Sequence, residues 1–134
     1  MNEIAKRESA RAFGGRIEVR VLQGLQELVT AANVFRAAMV GLPNFGLSQE
    51  ALVAELYEPG RAYGAFVDGQ LIGTTDSYTS ALRVPGGAEL PHAAVTHVGV
   101  LPTHTRRGAA TALLRTQIDR GARARRGGSI APRF

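Results

Sequence analysis

Asp68-Gly69 sits between two strand-like runs in AYGAFVDGQLIGTTDSYTSALRV, residues 62–84. The dipeptide accepts the positive φ angles of a tight hairpin turn, so the flanking runs are expected to pair antiparallel. A loop, PGGAELPH, follows. AAVTHVGV then reads as the next strand, with Val98 and Val100 on one face and Val95, His97 and Gly99 on the other. The middle of the chain is therefore a three-strand meander.

Before the meander the pattern gives one more strand and two helices. RIEVRVL, Arg16 to Leu22, alternates polar and apolar residues as a half-buried strand does. LQELVTAANVFRAAMV places Leu25, Leu28, Val29, Ala32, Phe35, Ala38 and Met39 at helical spacing ahead of the breakers in GLPNFG. Ser48 is placed to cap a second helix running through Leu56, with Glu50 near the positive end of its dipole and Pro59-Gly60 to stop it. After the meander, Ala110, Leu113, Leu114, Gln117, Ile118 and Ala122 outline a third helix between Arg107 and Arg126, basic on its outer face. The tail GGSIAPRF has room for a strand stub before Pro132 and no more.

At 134 residues the chain fits one domain, with residues 1–15 as a loose leader and 16–134 as the domain. MNEIAKRESARAFGG lacks the apolar centre of a secretory signal, and no apolar run is long enough to cross a bilayer. The expected compartment is the cytoplasm. The chain has no cysteine, which excludes disulfides, thiolate zinc sites and a cysteine nucleophile. Its net charge is +5, and Lys6 is its only lysine. Arginines thicken from Arg106 to Arg133, which suits an anionic partner, either a polyphosphate cofactor or a nucleic acid. No aromatic side chains interleave with those arginines to stack on bases, so attraction of an anionic cofactor is the simpler account.

VGVLPTHTRRGAAT, Val98 to Thr111, joins a strand end to a helix start. The first amides of a helix lack intrahelical partners and, with the dipole, make a ready site for phosphate oxygens. Gly108, Ala109 and Ala110 keep bulk away from the backbone there, while Arg106 and Arg107 add positive charge at the rim. A P-loop would need a Gly-Lys-Ser/Thr ending and a dinucleotide fingerprint three spaced glycines; neither is present. A helix start with merely solvated arginines is the competing account of the same residues.

This stretch resembles the acyl-CoA motif of the GNAT N-acetyltransferase superfamily, Arg/Gln-x-x-Gly-x-Gly/Ala. Gly108 and Ala110 match the glycine and the final small residue, and Thr105 stands where the family prefers arginine or glutamine. Together with LPHAAVTHVG and the loop VPGGAELP, it looks like the N-terminal acetyltransferase domain of the enhanced intracellular survival (Eis) family, from about Ile17 to Arg125. The resemblance implies an α/β (α+β) fold, the N-terminal half of a GNAT domain. Its sheet would be mixed, mainly antiparallel, of about four strands with three helices.

By the same resemblance acetyl-CoA is the cosubstrate and a primary amine, on a small molecule or a lysine side chain, the acceptor. Val98, Gly99 and Val100 would address the pantetheine arm and acetyl carbonyl, and Arg106, Arg107, Gly108, Ala109, Ala110 and Thr111 would enclose the pyrophosphate. Members of the Eis family run about three times this length. Their fifth strand, fourth helix and general-acid tyrosine correspond to positions past Phe134, and the carboxylate assigned as base ends their last domain. No catalytic residue is transferred to this chain on that basis. The alternative is a non-catalytic fragment or interaction module that dimerises through the open edge of the fourth strand.

Other polar residues are open to two readings. His97 lies mid-strand and is either a base near the amine or a hydrogen-bonded structural residue. Asp76, Tyr78 and Glu89 lie on or next to the central strands, where they either face an amine or solvent. His92, His97 and His104 fit no zinc spacing, so no metal site is expected.

Overall fold

The computed structural model describes residues 15–40, 42–44 and 49–126. Its elements are β1 (Glu18–Val21), α1 (Gly24–Ala38), α2 (Glu50–Leu56), β2 (Ala62–Val67), β3 (Gln70–Arg83), β4 (Glu89–Val100), a 3-10 turn (Pro102–His104) and α3 (Ala109–Arg126). The strands form one sheet in the order β1-β2-β3-β4, and all three pairings are antiparallel. The expected four strands and three helices of an α/β fold are present.

Asp68 and Gly69 turn the β2-β3 hairpin with φ of 49° and 78°, and Val67 pairs with Gln70 across them. Positive φ at both loop positions is what a two-residue hairpin loop needs to match the twist of its strands. β2 is buried on both faces because its side chains alternate between two cores. Ala62 and Phe66 pack with Leu22, Ala32, Val34, Val53 and Leu71 beneath α1 and α2. Tyr63, Ala65 and Val67 pack with Ile72, Ala109 and Leu113 beneath α3. The sheet is thus the middle layer between two helical layers.

Several expectations of detail are corrected. On α1 the buried side chains are Ala31, Ala32 and Val34, whereas Leu25 is 39% and Met39 46% exposed, because they stand in the first turn and at the C-cap. On α3 the buried stripe is Ala109, Leu113 and Gln117, four residues apart, which turns Ala110 and Ile118 toward solvent. The β3-β4 loop is shorter than PGGAELPH: β3 continues to Arg83 and β4 starts at Glu89, with the Val84 amide bonded to the Ala88 carbonyl at 2.9 Å. Pro91 is accommodated within a strand because β4 is one of the two edge strands of the sheet among the described residues. Ser48 lies outside the described residues, as do residues 1–14 of the expected leader and the tail 127–134; Gln49 occupies the N-cap of α2.

Candidate functional site

The site begins at an irregularity in β4. Register passes from Asp76↔Thr96 to Thr74↔Gly99, leaving His97 and Val98 opposite the single residue Thr75. Two residues against one is a β-bulge, which bends the strand and re-aims its side chains. His97 adopts φ of 47°, a left-handed conformation uncommon for a residue with a side chain. Such a backbone costs about 1–3 kcal/mol and persists only where the surroundings fix it. The bulge overturns the simple alternation expected of this strand. Val95 pairs with Ser77, one position from Asp76, and faces away from His97 and Gly99, which point toward α1.

His97 is fixed from three sides. Its Nδ1 lies 2.7 Å from Oδ1 of Asp76 on β3. Its ring meets the edge of Phe35 from α1 at 5.0 Å between centroids, and the ring of Tyr57, at the C-cap of α2, at 5.5 Å. Asp76 is 1% exposed, and its Oδ2 has no partner among the described residues. Burial pushes the Asp76 carboxyl above the usual range, while the His97 hydrogen bond works in the opposite direction. Burial, and then the nearby Asp76 charge, push the Tyr57 hydroxyl up, so it stays protonated. A cavity of about 100 Å³ opens here between Ala32, Phe35, Arg36, Leu56, Tyr57 and His97.

The structure brings together only some of the polar candidates. Asp76 and His97 meet, but Tyr78 is 46% exposed and Glu89 pairs with Arg83 at 2.9 Å at the far end of the hairpin. His92 pairs across the strands with Ser80, and His104 Nδ1 lies 2.7 Å from Thr103 Oγ1, so the three histidines do not converge. Among the described residues no three histidine or carboxylate side chains gather as a metal site would require. Phe35 carries only the helical spacing of a core position, and nothing in the sequence around Tyr57 marks a site. Neither has a local signal, because both reach His97 only through the packing of separate helices on the sheet.

Past the bulge the chain is tied down and then opened. Val100 packs into the core beneath α3, and Leu101 contacts both cores while its amide bonds the Ile72 carbonyl at 2.8 Å. The 3-10 turn follows, closed by the His104 amide on the Leu101 carbonyl at 2.8 Å. Arg106 and Gly108 then take φ of 60° and 86°, and the first helical bond of α3 joins the Ala112 amide to the Gly108 carbonyl at 3.0 Å. The amides of Ala109, Ala110 and Thr111 therefore lie ahead of that bond. A Cβ built on Gly108 would meet nothing within 4 Å, and Ala109 turns its methyl into the core. The first turn of α3 carries no acidic side chain to neutralise the positive end of the dipole. Arg106 is exposed and Arg107 half-buried beside it.

The sequence model of the acetyltransferase (GNAT) domain matches residues 18–130. The chain belongs to the GNAT acetyltransferase family. This GNAT chain is 54% identical to Eis1 from Mycobacterium abscessus; the match covers 83% of the chain and 26% of Eis1, and the structures agree with a TM-score of 0.69. It is 35% identical over 91 residues to an uncharacterized N-acetyltransferase from Streptomyces griseus subsp. griseus, covering 66% of the chain and 22% of the relative. The GCN5-related N-acetyltransferase from Kribbella flavida shares the fold at 22% identity and a TM-score of 0.66, covering 86% of the chain and 28% of the neighbour. The matched region of the GNAT chain thus spans 22% to 28% of the length of these three relatives. No helix among its described residues is long and apolar enough to cross a membrane.

Proposed function

We propose that the chain binds acetyl-CoA along the end of β4 and the start of α3, and that it serves transfer of the acetyl group to a primary amine in the cytoplasm. The observation that carries this reading is the passage from the bulge at His97 and Val98 to a helix start with no acidic side chain in its first turn. Val98, Gly99 and Val100 would hold the pantetheine arm and polarise the acetyl carbonyl through backbone amides. Donors of that kind are worth about 3–4 kcal/mol of transition-state stabilisation in other enzymes. Ala109, Ala110 and Thr111 would offer amides to the pyrophosphate, with Gly108 leaving room and Arg106 and Arg107 supplying charge. The open space beside Gly108 and the buried methyl of Ala109 fit this assignment, since neither obstructs an approaching phosphate. When bound, acetyl-CoA supplies the activated acyl group; the chain supplies position and electrostatics.

The test is release of CoA thiol from acetyl-CoA in the presence of a primary amine, read with a thiol reagent. The chain contains no cysteine, so the reagent reports CoA alone. Amine-dependent release supports the reading; no release together with no acetyl-CoA binding overturns it. A second reading rests on β4 as an edge strand of the sheet among the described residues. An unpaired edge can pair with a second copy, and sedimentation as a monomer at high concentration would remove that reading.

A further inference from the structure

We propose that His97, oriented by Asp76, takes the proton of the acceptor amine in the cavity under the β4 bulge. This rests on the acetyl-transfer reading above and assigns the proton acceptor that reading leaves open.

Four observations converge on His97. Its Nδ1 is engaged by Asp76 Oδ1 at 2.7 Å, which leaves Nε2 as the nitrogen able to address a ligand. The side chain is 23% exposed, so the ring is held firmly without being sealed off. It lines a cavity of about 100 Å³ whose other walls include Phe35 and Tyr57, and aromatic rings favour an ammonium group. Behind Nδ1 lies the Asp76 carboxyl, 1% exposed and with one oxygen unpartnered among the described residues.

The bulge gives this arrangement its place in the reaction. It puts His97 immediately before Val98, the first residue proposed to hold the acetyl carbonyl, and the left-handed backbone at His97 turns the ring toward α1. The other ionisable groups facing the ring are few. Tyr57 stays protonated, and Arg36 of α1 lines the cavity while its Nε donates to the Pro43 carbonyl. Arg61 acts at longer range on Asp76.

An alkylammonium must lose one proton before its nitrogen can attack the acetyl carbon. It loses a second as the C–N bond forms and the C–S bond breaks. His97 Nε2 accepts the first and returns it to solvent, and the second ends on the departing CoA thiolate, giving amide, CoA thiol and one free proton. Asp76 is the positioning residue: it fixes the tautomer with the proton on Nδ1 and balances the imidazolium.

The test uses the full chain with n-butylamine and acetyl-CoA, comparing wild type with His97→Asn and Asp76→Asn. Asparagine tolerates the left-handed backbone at position 97, and circular dichroism checks that each variant folds. His97→Asn is expected to lower kcat/KM by roughly a hundredfold or more, the usual share of a general base, with acetyl-CoA affinity little changed. Asp76→Asn is expected to lower it less and to shift the acidic limb of the pH profile. In parallel, the imidazole resonances of wild type are followed with n-butylamine alone. The His97 ring resonances should shift as n-butylamine is added while those of His92 stay. Wild-type kcat/KM and pH profile in His97→Asn, or an unmoved His97 resonance, overturns the proposal. Failure of wild type to bind acetyl-CoA instead overturns the acetyl-transfer reading, and the resonance arm then decides amine capture by itself.

Discussion

Gly99 lies directly beneath α1: a Cβ built on it would stand 3.0 Å from the Ala38 Cβ and 3.3 Å from the Phe35 Cα. The glycine in the middle of the proposed pantetheine strand is therefore also the seat of a helix. Gly99 sets how closely α1 approaches β4, and through Phe35 it sets the packing on the His97 ring. Gly99→Val is expected to destabilise the fold by about 1–3 kcal/mol, as overpacking of a close contact does. Urea denaturation measures this directly; an unchanged midpoint would contradict the close seating of α1.

The bond from Thr75 Oγ1 to Gln117 Oε1 at 3.0 Å joins β3 to α3 in a region sealed from solvent. Gln117 Nε2 has no partner among the described residues, so the pair is only half satisfied. Thr75→Val leaves the glutamine oxygen unpaired as well and is expected to cost about 1–3 kcal/mol. Thr75→Val with Gln117→Leu removes both polar groups and is expected to recover most of that loss. A double variant no more stable than Thr75→Val, compared in a full mutant cycle, would show that the bond is not the source of the effect.

Glu58 and Asp76 are displaced in opposite directions. Glu58 accepts the Thr79 amide at 2.7 Å, Arg61 Nη1 at 2.8 Å and the Thr79 hydroxyl at 3.1 Å, and these hold its carboxyl below the ordinary 4.5. Its stabilising contribution is in place above the unfolded value and is lost as pH falls through the lowered one. Glu58→Gln should therefore be less stable than wild type near neutrality, and the two should converge in acid. For Asp76, burial raises the folded value above the ordinary 3.8, so the stability linked to its protonated form is present in acid and lost as pH rises through the raised value. Asp76→Asn should lack that decline and gain on wild type as pH rises. Urea midpoints taken across the acid range check both signs.

Much of the fold is written in local pattern. Asp68-Gly69 marks its hairpin because the turn needs residues that accept positive φ, and the apolar runs beside it already show the period of a strand. The turn from Val100 to Ala109 is legible for the same reason, since its glycine, small residues and arginines are adjacent in sequence. The bulge is not. A histidine with left-handed backbone leaves no mark on a strand pattern, and the extra residue appears only when β4 is aligned against β3. Nor does any spacing announce that Phe35, Tyr57 and Asp76 meet around His97, because they come from three separate elements. On α1 the helical spacing places Leu28, Val29 and Ala32 on the core side, while Leu25 and Met39 share that spacing but stand at the helix ends and stay exposed.

Isothermal titration of CoA into the full chain shows whether the strand end and the start of α3 hold a CoA pyrophosphate. Wild type is expected to bind. Arg106→Ala is expected to weaken binding several-fold, by about 1 kcal/mol for one exposed charge-assisted contact. Gly108→Val should weaken it more, since its φ of 86° disfavours any side chain and the space beside it would be filled. No heat of binding by wild type at millimolar CoA, or unchanged affinity in Gly108→Val, would show that the pyrophosphate does not bind there.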